Sequence, residues 1–339
     1  MTAKAQAAKK FQEILPQDIT FLLREHFFNL MPSFFETQSS FLSGIYKKYH
    51  SIETANIILC FARNIHLEII RQREKNLNFD VSIEKFWKNF NLINKPSEKI
   101  SSIVNITGIP KETVRRKLRN LINAGFLSKD KNKKGYIFKL LPNQKDDYLK
   151  IADLEVQYLS RLVSKFANYI DTDINMKIIE NEIKSKFSFY WYHFLSAQLE
   201  FLKMWQLKLN DNDLLLIALQ TTIPTLQYVD KNIKKVNVEE VFKVIGRVND
   251  SNKCDVCAVS ATSVSEITGI PRATCIRKLE KLVALGFLIR ETKTKRYFVN
   301  QATESRTKNI LTQYNVNFTI ETYCQCFAII LNSLVHCRT

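Results

Sequence analysis

The chain has 339 residues, 45% of them hydrophobic, enough to bury a sizeable core and to exclude a disordered polymer. Fifty Lys and Arg against 33 Asp and Glu leave a formal net charge of +17, so attraction to polyanions such as nucleic acid is expected. Seven thinly spread cysteines argue against a disulfide framework and for a reduced, cytoplasmic protein; the apolar runs Ile57–Ala62 and Phe327–Leu331 are too short to span a bilayer, so no membrane association is expected.

In chain order, Met1–Gln17 mixes Lys and Glu and lacks the apolar run of a secretory signal. Apolar residues at three- and four-residue spacing then predict helices over Asp18–Leu30, Ser51–Lys75, Ile151–Ile170 and Ile174–Leu207. Breaker-rich stretches, Leu141–Asp147 and Val248–Lys253, read as linkers. The apolar tail Tyr323–Val335 reads as a further helix, either docked within the chain or pairing two copies into a homodimer.

One segment occurs twice. Ile106-Thr-Gly-Ile-Pro110 returns as Ile267-Thr-Gly-Ile-Pro271, 161 positions on, and 15 of the 33 residues from 106 to 138 are identical to their counterparts. Seven of the 15 arginines fall in these two windows, a fifth of the chain. That clustering carries more meaning than a diffuse lysine excess, because the guanidinium suits bidentate contacts with guanine and phosphate. The repeat unit is expected to be larger than the matched core. Ser82–Trp87 faintly resembles Asn237–Phe242, 155 positions on, which would put about six extra residues in the second copy.

The second copy shows the mechanics. Val264 and Ile267 give a short helix its apolar face, Gly269 suits a turn of positive φ, and Pro271 suits the first position of the next helix. In that helix Cys275, Leu279, Leu282 and Val283 form the expected buried stripe, leaving Arg272, Ala273, Ile276 and Arg277 outward. Gly286 stops it. Phe287–Arg290 and Arg296–Val299 read as two strands joined by the polar turn Glu291–Lys295; in the first copy the equivalent loop, Ser128–Gly135, is strongly basic.

The Thr-Gly-Ile-Pro, Arg-Lys-Leu and Gly-Phe-Leu elements resemble the winged helix-turn-helix of bacterial regulators, similar to the MarR and IclR families. The fold class expected is mainly α with small β-hairpin wings, in two duplicated units. Its regions are an N-terminal helical region (1–80), a first winged module (81–143), a central helical region (144–232), a second winged module (233–301) and a helical tail (302–339). The resemblance implies sequence-specific binding of double-stranded DNA, and with it regulation of transcription. The DNA-facing residues it implies are Lys111, Glu112, Thr113, Arg115, Arg116 and Lys117 with Lys131, Lys133 and Lys134 of the first wing. In the second copy they are Arg272, Thr274, Ile276, Arg277 and Lys278 with Lys293, Lys295 and Arg296. The faces differ: Glu112, Arg115 and Arg119 become Ala273, Ile276 and Glu280, so an asymmetric or imperfectly palindromic site is expected, with Arg115 or Arg116 on guanine and Ile276 against a thymine methyl. Two alternatives stand beside this reading. Plasmid replication initiators also resemble tandem winged-helix proteins, and a winged helix can serve as a protein-binding scaffold.

Other residues read plainly. Cys254-Asp-Val-Cys257 has zinc-like spacing but no completing pair nearby, and the histidines have no metal-ligand spacing. The aromatic run Phe187–Phe194 reads as helix packing. With no phosphate-cradling glycine loop, His-Glu-x-x-His or Gly-x-Ser-x-Gly, no enzyme activity, cofactor or metal is expected.

Overall fold

The computed structural model describes residues 13–130, 132, 134–170, 174–232, 257–300 and 313–336, which fold into a mainly helical body with small antiparallel strand sets. Three helices come first: α1 (Pro16–Glu25), α2 (Phe27–Tyr49) and α3 (Ile52–Lys75). A short α4 (Phe86–Leu92) and strand β1 (Ser97–Glu98) lead to α5 (Ile100–Thr107), α6 (Lys111–Asn123), β2 (Leu127–Asp130), β3 (Gly135–Phe138) and the long α7 (Pro142–Tyr169). Then follow α8 (Met176–Ser185), α9 (Phe187–Leu209), α10 (Asn212–Asn232), α11 (Ala261–Thr268), α12 (Arg272–Ala284), β4 (Leu288–Arg290), β5 (Tyr297–Val299) and α13 (Gln313–His336).

Among the described residues, four helices of the second series match those of the first in order and length. α1 and α8 have 10 residues each, α2 and α9 have 23, α5 and α11 have 8, and α6 and α12 have 13. Even the joints agree. His26 (φ −116, ψ 34) and Lys186 (φ −116, ψ 38) break the first two helices of each series; His50 (φ 55) and Asn210 (φ 49) end the second in the left-handed region. In the strands, Glu98 pairs with Tyr136 and Val259 with Tyr297. β1 lies close against Gly135, where an added Cβ would come within 3.0 Å of the Glu98 carbonyl; the second series has Arg296 there and, among the described residues, a single bridge.

The two helical sets interlock rather than sit in line. Between the sets, α2 packs on α10 and α9 on α3, and α1 packs on α13 and α8 on α7; within each set, α2 packs on α7 and α9 on α13. At the centre the matched pairs Phe34 and Phe194, Phe41 and Phe201, and Gln38 and Gln198 are all buried. The same spacing governs α7, which buries Glu155, Val156, Leu159, Leu162 and Val163, and α13, which buries Tyr323, Cys324, Phe327, Ile330 and Leu331. Glu155 and Tyr323 therefore hold equivalent places. The Tyr323 hydroxyl lies 3.0 Å from Gln38 Oε1 and against Gln198, with Phe34, Phe194 and Phe201 around its ring. Burial of this much aromatic surface, each ring removing 150–250 Å² from water on ordinary accounting, holds the two sets together.

Several expectations need correction. Asp18–Leu30 is not one helix: the chain breaks at His26 and continues helical to Tyr49, and a second break at Lys186 divides the segment expected from Ile174 to Leu207. Leu141–Asp147 is no linker but the opening of α7, with Pro142 in the first turn and Gln144 reaching back to the Leu141 amide at 3.0 Å and to the Ala124 carbonyl at 2.9 Å. The aromatic run does pack helices, with Phe187, Tyr190, Trp191 and Phe194 buried, and the tail helix docks within the chain on α9 and α1. Cys254, the linker Val248–Lys253 and the faint match at Asn237–Phe242 lie outside the described residues, and Cys257 is buried.

Candidate nucleic-acid interface

Each repeated segment forms a helix, a tight turn, a second helix and a hairpin. In the first, Thr107 Oγ1 accepts from the Ile109 amide at 3.2 Å and Gly108 takes φ 69; in the second, Thr268 Oγ1 accepts from the Ile270 amide at 3.1 Å and Gly269 takes φ 77. These positive φ values explain why glycine stands at the turn. Pro110 and Pro271 cap the next helices rather than occupying their first positions, each carbonyl accepting the amide four residues on. At the far ends, Phe126 and Phe287 donate to Leu121 and Leu282 at 2.9 Å, turning the chain into the hairpins.

On α6, Val114, Leu118 and Leu121 face inward, and Lys111, Glu112, Arg115, Arg116, Arg119 and Asn120 are exposed; Thr113 is half-buried. Arg115 pairs with Glu112 at 2.6 Å along the exposed face. On α12, Arg272, Ala273, Arg277 and Lys281 are exposed and Thr274 half-buried, with Arg272 Nε donating to Thr262 Oγ1 at 3.1 Å. The hairpin turns add exposed Lys129 and Lys134 in the first module and Lys293, Lys295 and Arg296 in the second. Lys131 and Lys133 lie outside the described residues.

Two expected contact residues point the other way. Lys278 follows Cys275 by three residues and so falls on the buried stripe; its ammonium lies 2.6 and 2.7 Å from the Asp211 carboxylate, and its side chain is 10% exposed. Lys117, its counterpart, is 13% exposed and lies 3.3 Å from Glu53, donating to Ser51 Oγ at 3.1 Å and Thr54 Oγ1 at 2.9 Å. Arg115, by contrast, is 49% exposed. Both lysines tie their helices to the body. Ile276 is also corrected in part: it is half-buried and packs against the core. Glu280 is engaged locally, accepting from Arg290 at 3.0 Å and from the Tyr297 hydroxyl at 2.7 Å.

The acidic partners of these lysines stand at helix starts. Ser51 caps α3 and Asp211 accepts from the Leu214 amide at 3.1 Å in the first turn of α10, so one side chain both caps a helix and receives a lysine. The two starts touch: the Ile52 amide donates to Asp213 Oδ1 at 3.0 Å. Burial pushes the Asp213 carboxyl up, while the Ile52 amide and Lys278 pull it down.

A basic group that no sequence motif marks lies beside the first hairpin. Burial lowers the Lys95 pKa, and the nearby charges of Lys145 and Lys139 lower it further. Lys95 and Lys145 lie over the rings of Phe90 and Trp87, at 4.4 and 5.4 Å from the ring centroids. An anion placed here would relieve their mutual repulsion. Lys95 lies more than 40 positions before the other two, so no local signal marks the group. Among the described residues no group of three or more His, Cys, Asp or Glu is arranged to hold a metal ion, and no helix is long and apolar enough to cross a membrane.

No family model, curated protein or solved structure matches this chain.

Proposed function

We propose that the protein is an internally duplicated, tandem winged helix-turn-helix protein that binds double-stranded DNA through both α6 and α12 and regulates transcription, acting by binding rather than by catalysis. The observation that carries this reading is the exposure of Arg115 and Arg116 on α6 and of Arg272 and Arg277 on α12, each helix being held from behind by a buried or half-buried lysine. Four pairs of helices of equal length, similar joints and matched turn hydrogen bonds support the duplication.

In this reading a recognition helix offers its first turns to the major groove, and guanidinium forks discriminate guanine. The hairpin lysines and the Lys95, Lys139 and Lys145 group meet phosphates, which position the protein without reading sequence. Lys117 and Lys278 stabilise the heads and meet no DNA. The test is fluorescence anisotropy of a labelled random duplex titrated with the full chain as salt is raised. Binding that weakens steeply with salt agrees with the reading. A protein-binding scaffold would leave the duplex free at every salt concentration.

A further inference from the structure

We infer that α6 and α12 are related by an approximate twofold axis, so that one chain reads one duplex site made of two unlike half-sites in inverted orientation at fixed spacing. This deepens, and rests on, the DNA-binding reading above.

The contacts between the two units are reciprocal. In a head-to-tail array, an element of the first unit touches a partner in the second, and the matching contact falls on the unit after that. Here the main contacts between the units among the described residues close on themselves: α2 on α10 is answered by α9 on α3, α5 on α9 by α11 on α2, and α1 on α13 by α8 on α7. Residue i meeting j while j's counterpart meets i's counterpart is the signature of an isologous, twofold interface. The turn glycines repeat it in detail. Gly108 packs on Lys203 and Leu207 of α9, and Gly269 packs on Lys47 of α2, the residue that holds the place of Leu207.

Near the axis the recognition helices share one foundation. Lys117 reaches Ser51 and Glu53 at the start of α3, Lys278 reaches Asp211 at the start of α10, and the Ile52 amide bonded to Asp213 joins those two starts. Deeper in, Gln38 and Gln198 meet around Tyr323. With so much matched burial between the units, the heads are parts of one body and their separation is set by the fold. The backbone of a duplex has twofold axes of its own, so two heads related by an axis meet its strands equivalently only when their half-sites are inverted. The halves differ in sequence because Glu112 and Arg115 stand where the second head has Ala273 and Ile276.

The test is selection of bound sequences from a random duplex library by the full chain, run beside the variant Arg272→Lys, Ala273→Glu, Ile276→Arg, which copies the exposed side chains of the first turns of α6 onto α12. Two different half-motifs, inverted and at one spacing, are expected for the native chain; the variant should enrich a true palindrome of the first half-motif. Direct repeats, or inverted halves at variable spacing, would overturn the twofold relation while leaving DNA binding in place. Salt-sensitive binding with no enriched sequence would overturn base reading, and this inference with it.

Discussion

Lys278 buries its ammonium against the Asp211 carboxylate at 2.6 and 2.7 Å, fastening the middle of α12 to the first turn of α10. A buried charge that loses its partner is costly, typically about 3–5 kcal/mol. Lys278→Ala should therefore destabilise the protein by about 3 kcal/mol in urea unfolding. The paired change Lys278→Met with Asp211→Asn should recover most of that loss, and an equal loss in both variants would count against the pair.

Arg116 and Arg277 are exposed on α6 and α12. Replacing both with Ala should leave the unfolding midpoint unchanged while each lost guanine fork weakens binding to the selected site by about 1–3 kcal/mol. Binding to random duplex should fall much less. An altered midpoint would show that these side chains support the fold instead.

His66 is fully buried, its Nε2 2.9 Å from the Tyr148 hydroxyl, which also accepts from Trp191 Nε1 at 3.1 Å. Burial lowers its pKa to about 3. The unfolded chain takes up a proton below about pH 6.5 and the folded chain does not, so stability is lost as pH falls from 6.5 toward 3. At pH 5 the loss from this group is about 2 kcal/mol. His66→Gln should flatten that acid-side slope in denaturant titrations, and an undiminished slope would place its origin elsewhere.

Glu155 titrates in the opposite sense. It is buried, neither carboxylate oxygen has a hydrogen-bond partner among the described residues, and burial raises its pKa well above 4.5. Its contribution is fully present below pH 4.5 and is lost as pH rises through the folded-state value. Glu155→Gln should melt higher than the native chain at about pH 8 and close to it at about pH 4. A variant that melts lower at both would indicate a carboxylate needed for packing.

The turn and hairpin of each module were legible in the sequence because they depend on short-range chemistry: Thr107 and Gly108, or Thr268 and Gly269, shape their own turns. The outward arginines were legible for the same reason, from helical spacing around Val114 and Cys275. Lys117 and Lys278 were misread because a lysine on a buried stripe is normally excluded, and their partners Glu53 and Asp211 come from the helical set, more than 60 residues away in sequence. Leu141–Asp147 looked like a linker because Pro, Asn and Asp suit turns as well as first helical turns; only the bond from Gln144 to Ala124 decides between them. The interlock of the helical sets had no sequence signal beyond Phe27, Phe34, Gln38, Phe41 and Leu42 recurring 160 positions on as Phe187, Phe194, Gln198, Phe201 and Leu202.

The exposed faces of α6 and α12 are proposed to bind a polyanionic duplex. The most direct measurement is the dissociation constant of the full chain for a labelled random duplex between about 50 and about 200 mM salt, with the Arg116→Ala, Arg277→Ala double variant alongside. Binding at low salt should weaken by about 10³-fold or more across that range, with nearly the same slope in the variant, whose two lost arginines read guanine rather than phosphate. No binding at about 50 mM salt, or an affinity indifferent to salt, would contradict it.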